Sequence, residues 1–319
     1  MDLNRRAAAL VAALVQQRDT LGISVQTAPS GCQLIDCGIK VPGGLETGRL
    51  LSEICLSGLG RVSFVPASAE LGGGIAVAVA TDSPLAACMA SQYAGWQVAA
   101  GKYFAMASGP MRAAAGKEKL FDTIGHRERP EVAVGILEAR GFPPDEVCQD
   151  LAKACGVPPE RLTLLAAPTA SLAGMVQVVA RSVETALHKL FELGFDLSRV
   201  QSGWGVAPLP PAAADDLAAI GRTNDAILYG AEVTLWVRGD DESLEAVGPK
   251  VPSCASRDYG RPFAAIFESY NRDFYKIDPH LFSPAVVTLA NLDTGTSLRY
   301  GRVQDEVLRR SISLRHAGG

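Results

Sequence analysis

The spacing of apolar residues along the chain predicts where helices and strands form. The N-terminal segment repeats apolar positions at helical spacing and predicts an amphipathic helix ending near Gly22, rather than a secretion signal. Short apolar runs separated by glycines come next, and they predict antiparallel strands joined by tight turns. These predicted strands cover residues 24–28, 32–39, 49–56, 61–66 and 75–80.

Farther along the chain, predicted strands and helices alternate, which is typical of α/β packing. A helix is predicted from Pro84 to about Trp96, and a single strand follows it over residues 98–107. Predicted strands then cover residues 131–138, 162–167 and 286–289, and predicted helices cover residues 143–155, 170–193, 263–271 and 303–311. Between them, the predicted elements are a helix over 212–220, a turn at 221–225 and a strand over 227–237.

The predicted fold class is α/β with mixed α+β character, in which helices pack on mixed sheets in a two-domain layered structure. A length of 319 residues and a hydrophobic fraction of 48% support two domains, each with its own core. We predict that residues 1–110 and 285–319 form a first α/β domain. Residues 111–284, which contain the predicted helix 170–193, then form a second α/β domain.

Charge and cysteine content argue against several classes of function. The 30 basic and 34 acidic side chains give a formal net charge of −4, so a nucleic-acid partner is not expected. The seven cysteines are odd in number and form no CxxC motif, which is typical of reduced cytosolic thiols. The four histidines lack paired spacing, so no metal site is expected, and no apolar run reaches the length of about 18 residues that spans a membrane.

The clearest chemical signal lies in the predicted helix 170–193, which is apolar around most of its circumference and is therefore expected to be buried. Four polar residues nevertheless share one of its faces: Gln177, Arg181, Glu184 and His188. Buried polar groups need partners, water or a ligand. This stripe indicates either a structural Arg181–Glu184 ion pair or a carboxylate and guanidinium that line a cleft for acid–base chemistry.

Nucleotide binding is not indicated by the glycine-rich segments. Gly58 and Gly60 lack the third glycine of a dinucleotide fingerprint, and the sequence contains no P-loop motif. The segment 221–225 carries Asn224 and Asp225, which favour a turn more than a ligand contact at this point of the chain.

Several long runs together resemble one known family, the methenyltetrahydromethanopterin cyclohydrolases. The runs are TDSPL at 81–85, SQYAGW at 91–96, GKYF at 101–104, LLAAPTASLAG at 164–174, ARSVETALHK at 180–189, GRTNDAILYG at 221–230, DYG at 258–260 and DFY at 273–275. They extend over most of the chain, and together they are far more specific than any single motif.

The resemblance implies a reaction in one-carbon metabolism. Water adds to the methenyl carbon of 5,10-methenyltetrahydromethanopterin, and the ring opens reversibly to 5-formyltetrahydromethanopterin. Enzymes of this family serve methylotrophy and formaldehyde oxidation and use no metal, flavin or nicotinamide cofactor. The resemblance also implies a cytoplasmic homotrimer, in which each chain has its active-site pocket between two α/β domains.

The resemblance also implies which residues act. The family's catalytic pair corresponds to Arg181 and Glu184, so Glu184 is expected to orient the attacking water and accept its proton. Arg181 is expected to hold Glu184 in place and to assist proton transfer or charge stabilisation. The predicted substrate-binding residues are Gln177, His188, Lys102, Ser171, Asn224 and Asp225.

Two other functions are compatible with the same residues. A non-catalytic pterin-binding or scaffold protein would have the same fold, and replacement of Arg181 or Glu184 by apolar residues would favour it; both residues are present. A folate-specific cyclohydrolase would act on a related substrate, but that enzyme type uses a dinucleotide-type domain that this sequence does not indicate.

Overall fold

The computed structural model describes residues 2–68 and 74–312. The helices are α1 Leu3–Gln16, α2 Arg18–Leu21, α3 Leu45–Cys55, α4 Met111–Ala115, α5 Leu120–Ile124, α6 Asp145–Cys155, α7 Leu172–Val179, α8 Ser182–Glu192, α9 Asp216–Gly230, α10 Asp241–Val247, α11 Phe263–Ser269 and α12 Asp305–Ile312. The strands are β1 Ser24–Thr27, β2 Gln33–Asp36, β3 Gly60–Pro66, β4 Ile75–Thr81, β5 Trp96–Ala100, β6 Tyr103–Ser108, β7 Ala133–Glu138, β8 Leu162–Ala167, β9 Val200–Pro208, β10 Glu232–Val237, β11 Val286–Asn291 and β12 Ser297–Gly301.

The described residues form two compact units, each built around one mixed six-stranded sheet. The first unit contains residues up to Val62 and residues 85–177, and the order of its strands is β1-β2-β8-β7-β6-β5. Strands β2, β8 and β7 are parallel, whereas β1, β6 and β5 pair in antiparallel fashion at the two sides. The α/β fold class with mixed sheets is therefore confirmed.

The central strands of the first sheet are buried on both faces. Along β8, Leu164 and Ala166 belong to one apolar cluster, whereas Leu165 and Ala167 belong to another. Successive side chains of a strand point to opposite faces, so this alternation places a core on each side of the sheet. Helix α6 contributes to the first cluster, and helices α1 and α3 contribute to the second.

The second unit contains residues 63–84 and the chain from Val178 onward, and the order of its strands is β12-β11-β10-β9-β4-β3. Strand β9 is a central strand that pairs in antiparallel fashion with β10 on one side and with β4 on the other. Helices α8 and α9 both pack against β9. No helix in the described parts of the chain is both long and apolar enough to cross a membrane.

The boundaries of the two units differ from those predicted. The predicted first domain, 1–110 plus 285–319, and the predicted second domain, 111–284, both contain strands of each sheet. One reason is that β4, from the predicted first domain, pairs with β9, from the predicted second domain. The other is that β7 and β8, from the predicted second domain, belong to the same sheet as β1 and β2. Strand pairing between distant segments does not appear in local sequence patterns.

Two predicted strands of the first unit are wrong. Residues 49–56 belong to helix α3, in which the buried Leu51, Ile54 and Cys55 recur at helical spacing. Residues 98–107 form a hairpin of β5 and β6 rather than one strand, because Gly101 adopts a positive φ of 55° and reverses the chain. The helix predicted from Pro84 to about Trp96 is a shorter π-helix, Leu85–Gln92.

In the second unit, the predictions for residues 200–237 and 297–301 need correction. The predicted turn at 221–225 and the first part of the predicted strand 227–237 lie inside helix α9, and only β10 is a strand. Strands β9 and β12 were not predicted at all. A strand is recognised by apolar residues at every second position, but in β9 two of these inward positions are glycines. The strand pattern is therefore not visible in the sequence.

Candidate functional site

Arg181 and Glu184 lie where helix α8 begins. The predicted single helix 170–193 is interrupted at Ala180 and Arg181, which separate α7 from α8. Ala and Arg both favour helix, so the interruption is imposed by tertiary packing and not by local propensity. Arg181 is the N-cap residue of α8, and its carbonyl accepts a 2.9 Å hydrogen bond from the Thr185 amide.

Both side chains of this pair are almost completely buried. The exposed fraction is 5% for Arg181 and 4% for Glu184. Glu184 lies in the first turn of α8, and the amide groups and dipole of a helix start favour a negative charge. Arg181 and Glu184 are three residues apart, and side chains at this spacing lie on the same side of a helix. The two side chains therefore share one side of the start of α8.

The predicted stripe of four polar residues is not one continuous helix face. Gln177 lies on α7, whereas Glu184 and His188 lie one turn apart on α8. The His188 Nε2 atom is 3.5 Å from Glu192 Oε1, and this histidine is half-buried. The prediction of a single helix is therefore wrong, although α8 keeps part of the predicted stripe.

In the first unit, the carboxyl ends of the parallel strands β2, β8 and β7 form an edge with several polar groups. The buried Asp36 carboxylate ends β2 and accepts hydrogen bonds from the amides of Gly38, Ile39 and Lys40 at 2.6–2.8 Å. These bonds fold the following loop tightly around Asp36. Ligands of α/β sheets bind preferentially at the carboxyl ends of their strands.

Two predicted substrate-binding residues lie at this edge. The Ser171 hydroxyl donates a 2.8 Å hydrogen bond to the Pro168 carbonyl and accepts one of 3.0 Å from the Gly174 amide, so it also caps α7. The Gln177 amide donates a 3.1 Å hydrogen bond to Glu138 Oε1, and Gln177 is 1% exposed. The structure thus brings Ser171 and Gln177 to the same sheet edge.

Glu138 is a polar residue of this edge that the sequence reasoning missed. It is the last residue of β7 and pairs with Ala167 of β8. A signal was available, because an acidic residue that directly ends an apolar strand of a parallel sheet lies at the edge where ligands bind.

Lys102 extends beyond the same edge. Strand register pairs Met106 of β6 with Glu138, the last residue of β7, so Tyr103 and the turn before it project past the end of β7. Lys102 occupies that turn and is exposed. The position suits a cation that meets a ligand from solvent.

The last two predicted residues lie within helix α9 of the second unit. Asn224 Nδ2 donates a 2.8 Å hydrogen bond to the Ile220 carbonyl of the same helix. The Asp225 carboxylate accepts a 2.8 Å hydrogen bond from the Phe263 amide and so caps α11, and burial raises the pKa of Asp225 to about 7. These contacts are within the protein, so they give both residues a structural role.

A buried base lies next to His188 on α8. Lys189 is 1% exposed, and its Nζ donates a 2.5 Å hydrogen bond to the His280 carbonyl. Burial lowers the pKa of Lys189 to about 8, and Asp278 opposes this effect. Among residues 2–68 and 74–312, no group of three or more His, Cys, Asp or Glu side chains is arranged to hold a metal ion.

Comparison with known proteins finds one family and several close relatives. The Cyclohydrolase (MCH) family matches residues 2–312. A Rhodopirellula baltica protein named methenyltetrahydromethanopterin cyclohydrolase is 49% identical over 291 residues, which are 89% of this chain and 87% of that protein. Proteins of the same name from Xanthobacter autotrophicus and Methanococcoides burtonii are 47% and 38% identical, over 96% and 99% of this chain and 90% and 99% of their own lengths.

Proposed function

The chain belongs to the cyclohydrolase (MCH) family, and on that premise we propose that it hydrolyses 5,10-methenyltetrahydromethanopterin to 5-formyltetrahydromethanopterin. The enzyme is then a hydrolase that acts on a C–N bond of a cyclic amidine in one-carbon metabolism. The observation that carries the proposal is a carboxylate, Glu184, buried at the start of α8 beside the N-cap residue Arg181. A catalytic pair buried in this way is shielded from bulk solvent.

Glu184 acts as the general base in this proposal. The methenyl carbon carries positive charge shared by two nitrogens, so it is electrophilic without a Lewis acid. The oxygen of water forms a bond to this carbon as Glu184 accepts a proton from the water. The C–N10 bond then breaks, and its electron pair stays on N10. The hydroxyl group on the former methenyl carbon loses its proton as the C=O bond forms, and N10 takes up a proton. The products are the formyl group on N5, an N–H group at N10 and, in total, one released proton.

Arg181 positions the base in this proposal. Its guanidinium offers up to five N–H donors in a fixed planar geometry. It is suited to orient the Glu184 carboxylate and to donate a hydrogen bond to the oxygen that develops on the methenyl carbon. The negative charge of Glu184 offsets the repulsion between this guanidinium and the cationic substrate.

Six further residues are proposed substrate contacts because of the family resemblance: Gln177, Ser171, Lys102, His188, Asn224 and Asp225. Support is greatest for Ser171, Gln177 and Lys102, since all three lie at or beyond the carboxyl edge of the parallel strands. Support is weakest for Asp225, whose carboxylate already caps α11.

The remaining parts of the proposal rest on the family resemblance alone. We propose that the enzyme needs no metal, flavin or nicotinamide, that it assembles as a homotrimer and that it works in the cytoplasm. Activity that persists after exhaustive dialysis against a chelator would support the first point. Light scattering of the purified protein would measure the second, and a mass other than three chains would overturn it.

The test is to follow the loss of the methenyl chromophore after the purified protein is mixed with methenyltetrahydromethanopterin. Methenyltetrahydrofolate serves as the comparison substrate. Glu184→Gln is expected to lower turnover by about 10²–10⁴-fold, which is the usual contribution of a positioned general base. Glu146→Gln removes an acid from an exposed position on α6 and is expected to leave the rate unchanged.

The outcomes separate the alternatives. Rapid conversion of the methanopterin substrate by the wild type, lost in Glu184→Gln alone, supports the reaction and the base together. A folded wild type that binds the substrate without accelerating its hydrolysis would make a pterin-binding role the better explanation. A Glu184→Gln variant with a normal rate would assign Glu184 to structure.

A further inference from the structure

Strand β9 has no side chain at two neighbouring inward positions. Its residues alternate between exposed positions such as Trp204 and buried positions, and the buried ones include Gly203 and Gly205. Glycine weakens a strand interior, and it often marks a place where another backbone comes close. Neither glycine has a positive φ, so backbone conformation does not explain why these residues are glycines.

The first turn of α8 fills the space above both glycines. A Cβ atom at Gly203 would lie 2.6 Å from Val183 Cγ1 and 3.3 Å from Leu235 Cδ2. A Cβ atom at Gly205 would lie 2.6 Å from Ser182 Oγ and 3.1 Å from Val183 Cγ2. We call this contact of Gly203 and Gly205 with Ser182 and Val183 the glycine seat.

The glycine seat holds the residues directly before Glu184. Val183 is fully buried, and its branched side chain has one strongly preferred rotamer in a helix, so it cannot rotate away from an added methyl group at low cost. To restore ordinary contact of at least 3.4 Å, the first turn of α8 would have to move by most of an ångström. Glu184 would move with it.

We infer that Gly203 and Gly205 are positioning residues for the Glu184 carboxylate: they allow α8 to approach β9 closely enough to set the location of the base. This inference rests on the proposed function of Glu184. A displacement of about 1 Å at a reacting group can cost about 10²-fold in rate. The glycine seat therefore affects catalysis through position, although neither glycine contacts the reacting atoms.

The decisive variants add side-chain volume on strand β9 and remove it from helix α8. Gly203→Ala is expected to lower kcat by about 10²-fold with little change in KM, because the base is displaced while the proposed substrate contacts Ser171, Gln177 and Lys102 lie outside α8 and β9. Val183→Ala removes the methyl groups that collide with the new Cβ atom. Combined with Gly203→Ala, it is expected to restore kcat to within about tenfold of the wild type.

Gly230→Ala provides a matched control. Gly230 ends α9, has no positive φ, and its added Cβ atom would lie 2.8 Å from Pro208 Cγ, at the far end of the same strand β9. This variant is expected to be destabilised to a similar degree and to keep its kcat. Gly205→Ala should have a smaller effect than Gly203→Ala, because the Ser182 hydroxyl can rotate.

Thermal unfolding and steady-state kinetics on all variants decide the outcome. A loss of kcat in Gly203→Ala that exceeds the loss in Gly230→Ala at equal stability, and that Val183→Ala reverses, supports the inference. Equal losses in both glycine variants, or a double variant that regains stability but not kcat, would overturn it. If Gly203→Ala does not fold, the double variant with Val183→Ala is measured instead, and a double variant that folds but keeps a kcat about 10²-fold below the wild type would overturn the inference.

The same measurements separate this inference from the proposed function. An inactive wild type, or a Glu184→Gln variant with a normal rate, would reject the proposed function itself. An active wild type with the expected loss in Glu184→Gln, together with a Gly203→Ala variant of normal kcat, would reject only the role of the glycine seat.

Discussion

Two acids of the second unit are both buried on helices that pack against β9, yet their surroundings differ. Asp225 lies in the interior of α9, and its carboxylate accepts the Phe263 amide, the first of α11. Glu184 lies in the first turn of α8, three residues after Arg181. The exposed fraction is 1% for Asp225 and 4% for Glu184, so burial alone does not distinguish them.

The difference lies in the groups that surround each carboxylate. Burial raises the pKa of Asp225 to about 7, since desolvation penalises its carboxylate more than the hydrogen bonds with Ser311 and the Phe263 amide stabilise it. Glu184 instead lies three residues after an arginine, at a helix start where the helix dipole attracts anions. A general base needs a neighbouring group that orients it, so the position of Glu184 suits the proposed catalysis, whereas the Asp225 carboxylate already caps α11.

The largest expected effect comes from removing the cation that distinguishes the two sites. Arg181→Ala is expected to lower kcat by about 10²–10³-fold, the range seen when a positioned donor is removed from a reacting centre. It should also lower thermal stability, because it leaves the Glu184 charge buried. Arg181→Lys keeps the charge and is expected to retain part of the rate. Unchanged kinetics in Arg181→Ala would show that the nearby arginine does not distinguish Glu184 from Asp225 in function.

Asp225→Asn is expected to change stability more than rate, because the Asp225 carboxylate already caps α11 and support for its substrate contact is weakest. Between pH about 4, the usual pKa of an aspartate, and pH about 7, the folded state keeps the Asp225 proton while the unfolded state loses it. This group therefore makes the wild type less stable as pH rises through that window, with a slope that approaches about 1.4 kcal/mol per pH unit. The variant lacks this contribution.

Urea unfolding of wild type and Asp225→Asn at several pH values measures this difference. The gap between their unfolding free energies should shift in favour of the variant from pH 5 to pH 8, while kcat stays within about threefold. A pH-independent gap would show that the Asp225 carboxylate titrates normally. A large loss of kcat would instead place Asp225 among the substrate contacts.

The smallest expected effect concerns the converse case, a buried base on α8. Burial lowers the pKa of Lys189 to about 8, so between pH about 8 and pH about 10.4 the unfolded state binds a proton that the folded state lacks. This group makes the wild type more stable as pH rises through that window, and Lys189→Met removes the rise. Lys153→Met, at an exposed position on α6, is the control.

Unfolding free energies of both lysine variants across this window provide the check. The gap between wild type and Lys189→Met should grow in favour of the wild type, whereas the gap for Lys153→Met should stay constant. If the gap stays constant for both variants, Lys189 titrates like an exposed lysine, and its burial does not lower its pKa.

Much of the fold and the candidate site could be predicted because the relevant signals are local. Alternating apolar residues identified β7 and β8, and helical spacing identified α6. Several runs along the chain together suggested the family, and the run around Arg181 and Glu184 supplied its catalytic pair. Burial of both side chains was expected from the apolar residues that surround them, and the structure confirms it.

Other features depend on contacts between distant segments. Strand β9 was missed because Gly203 and Gly205 carry no apolar side chain to mark its inward face, and their purpose becomes visible only when Val183 is placed above them. The interruption of the helix at Arg181 has no local signal either, since neither proline nor glycine occurs there. The sequence by itself was enough to indicate the family and the residues proposed for its chemistry, whereas tertiary packing decided where Glu184 is held, because close contact between a helix and a strand depends on both surfaces at once.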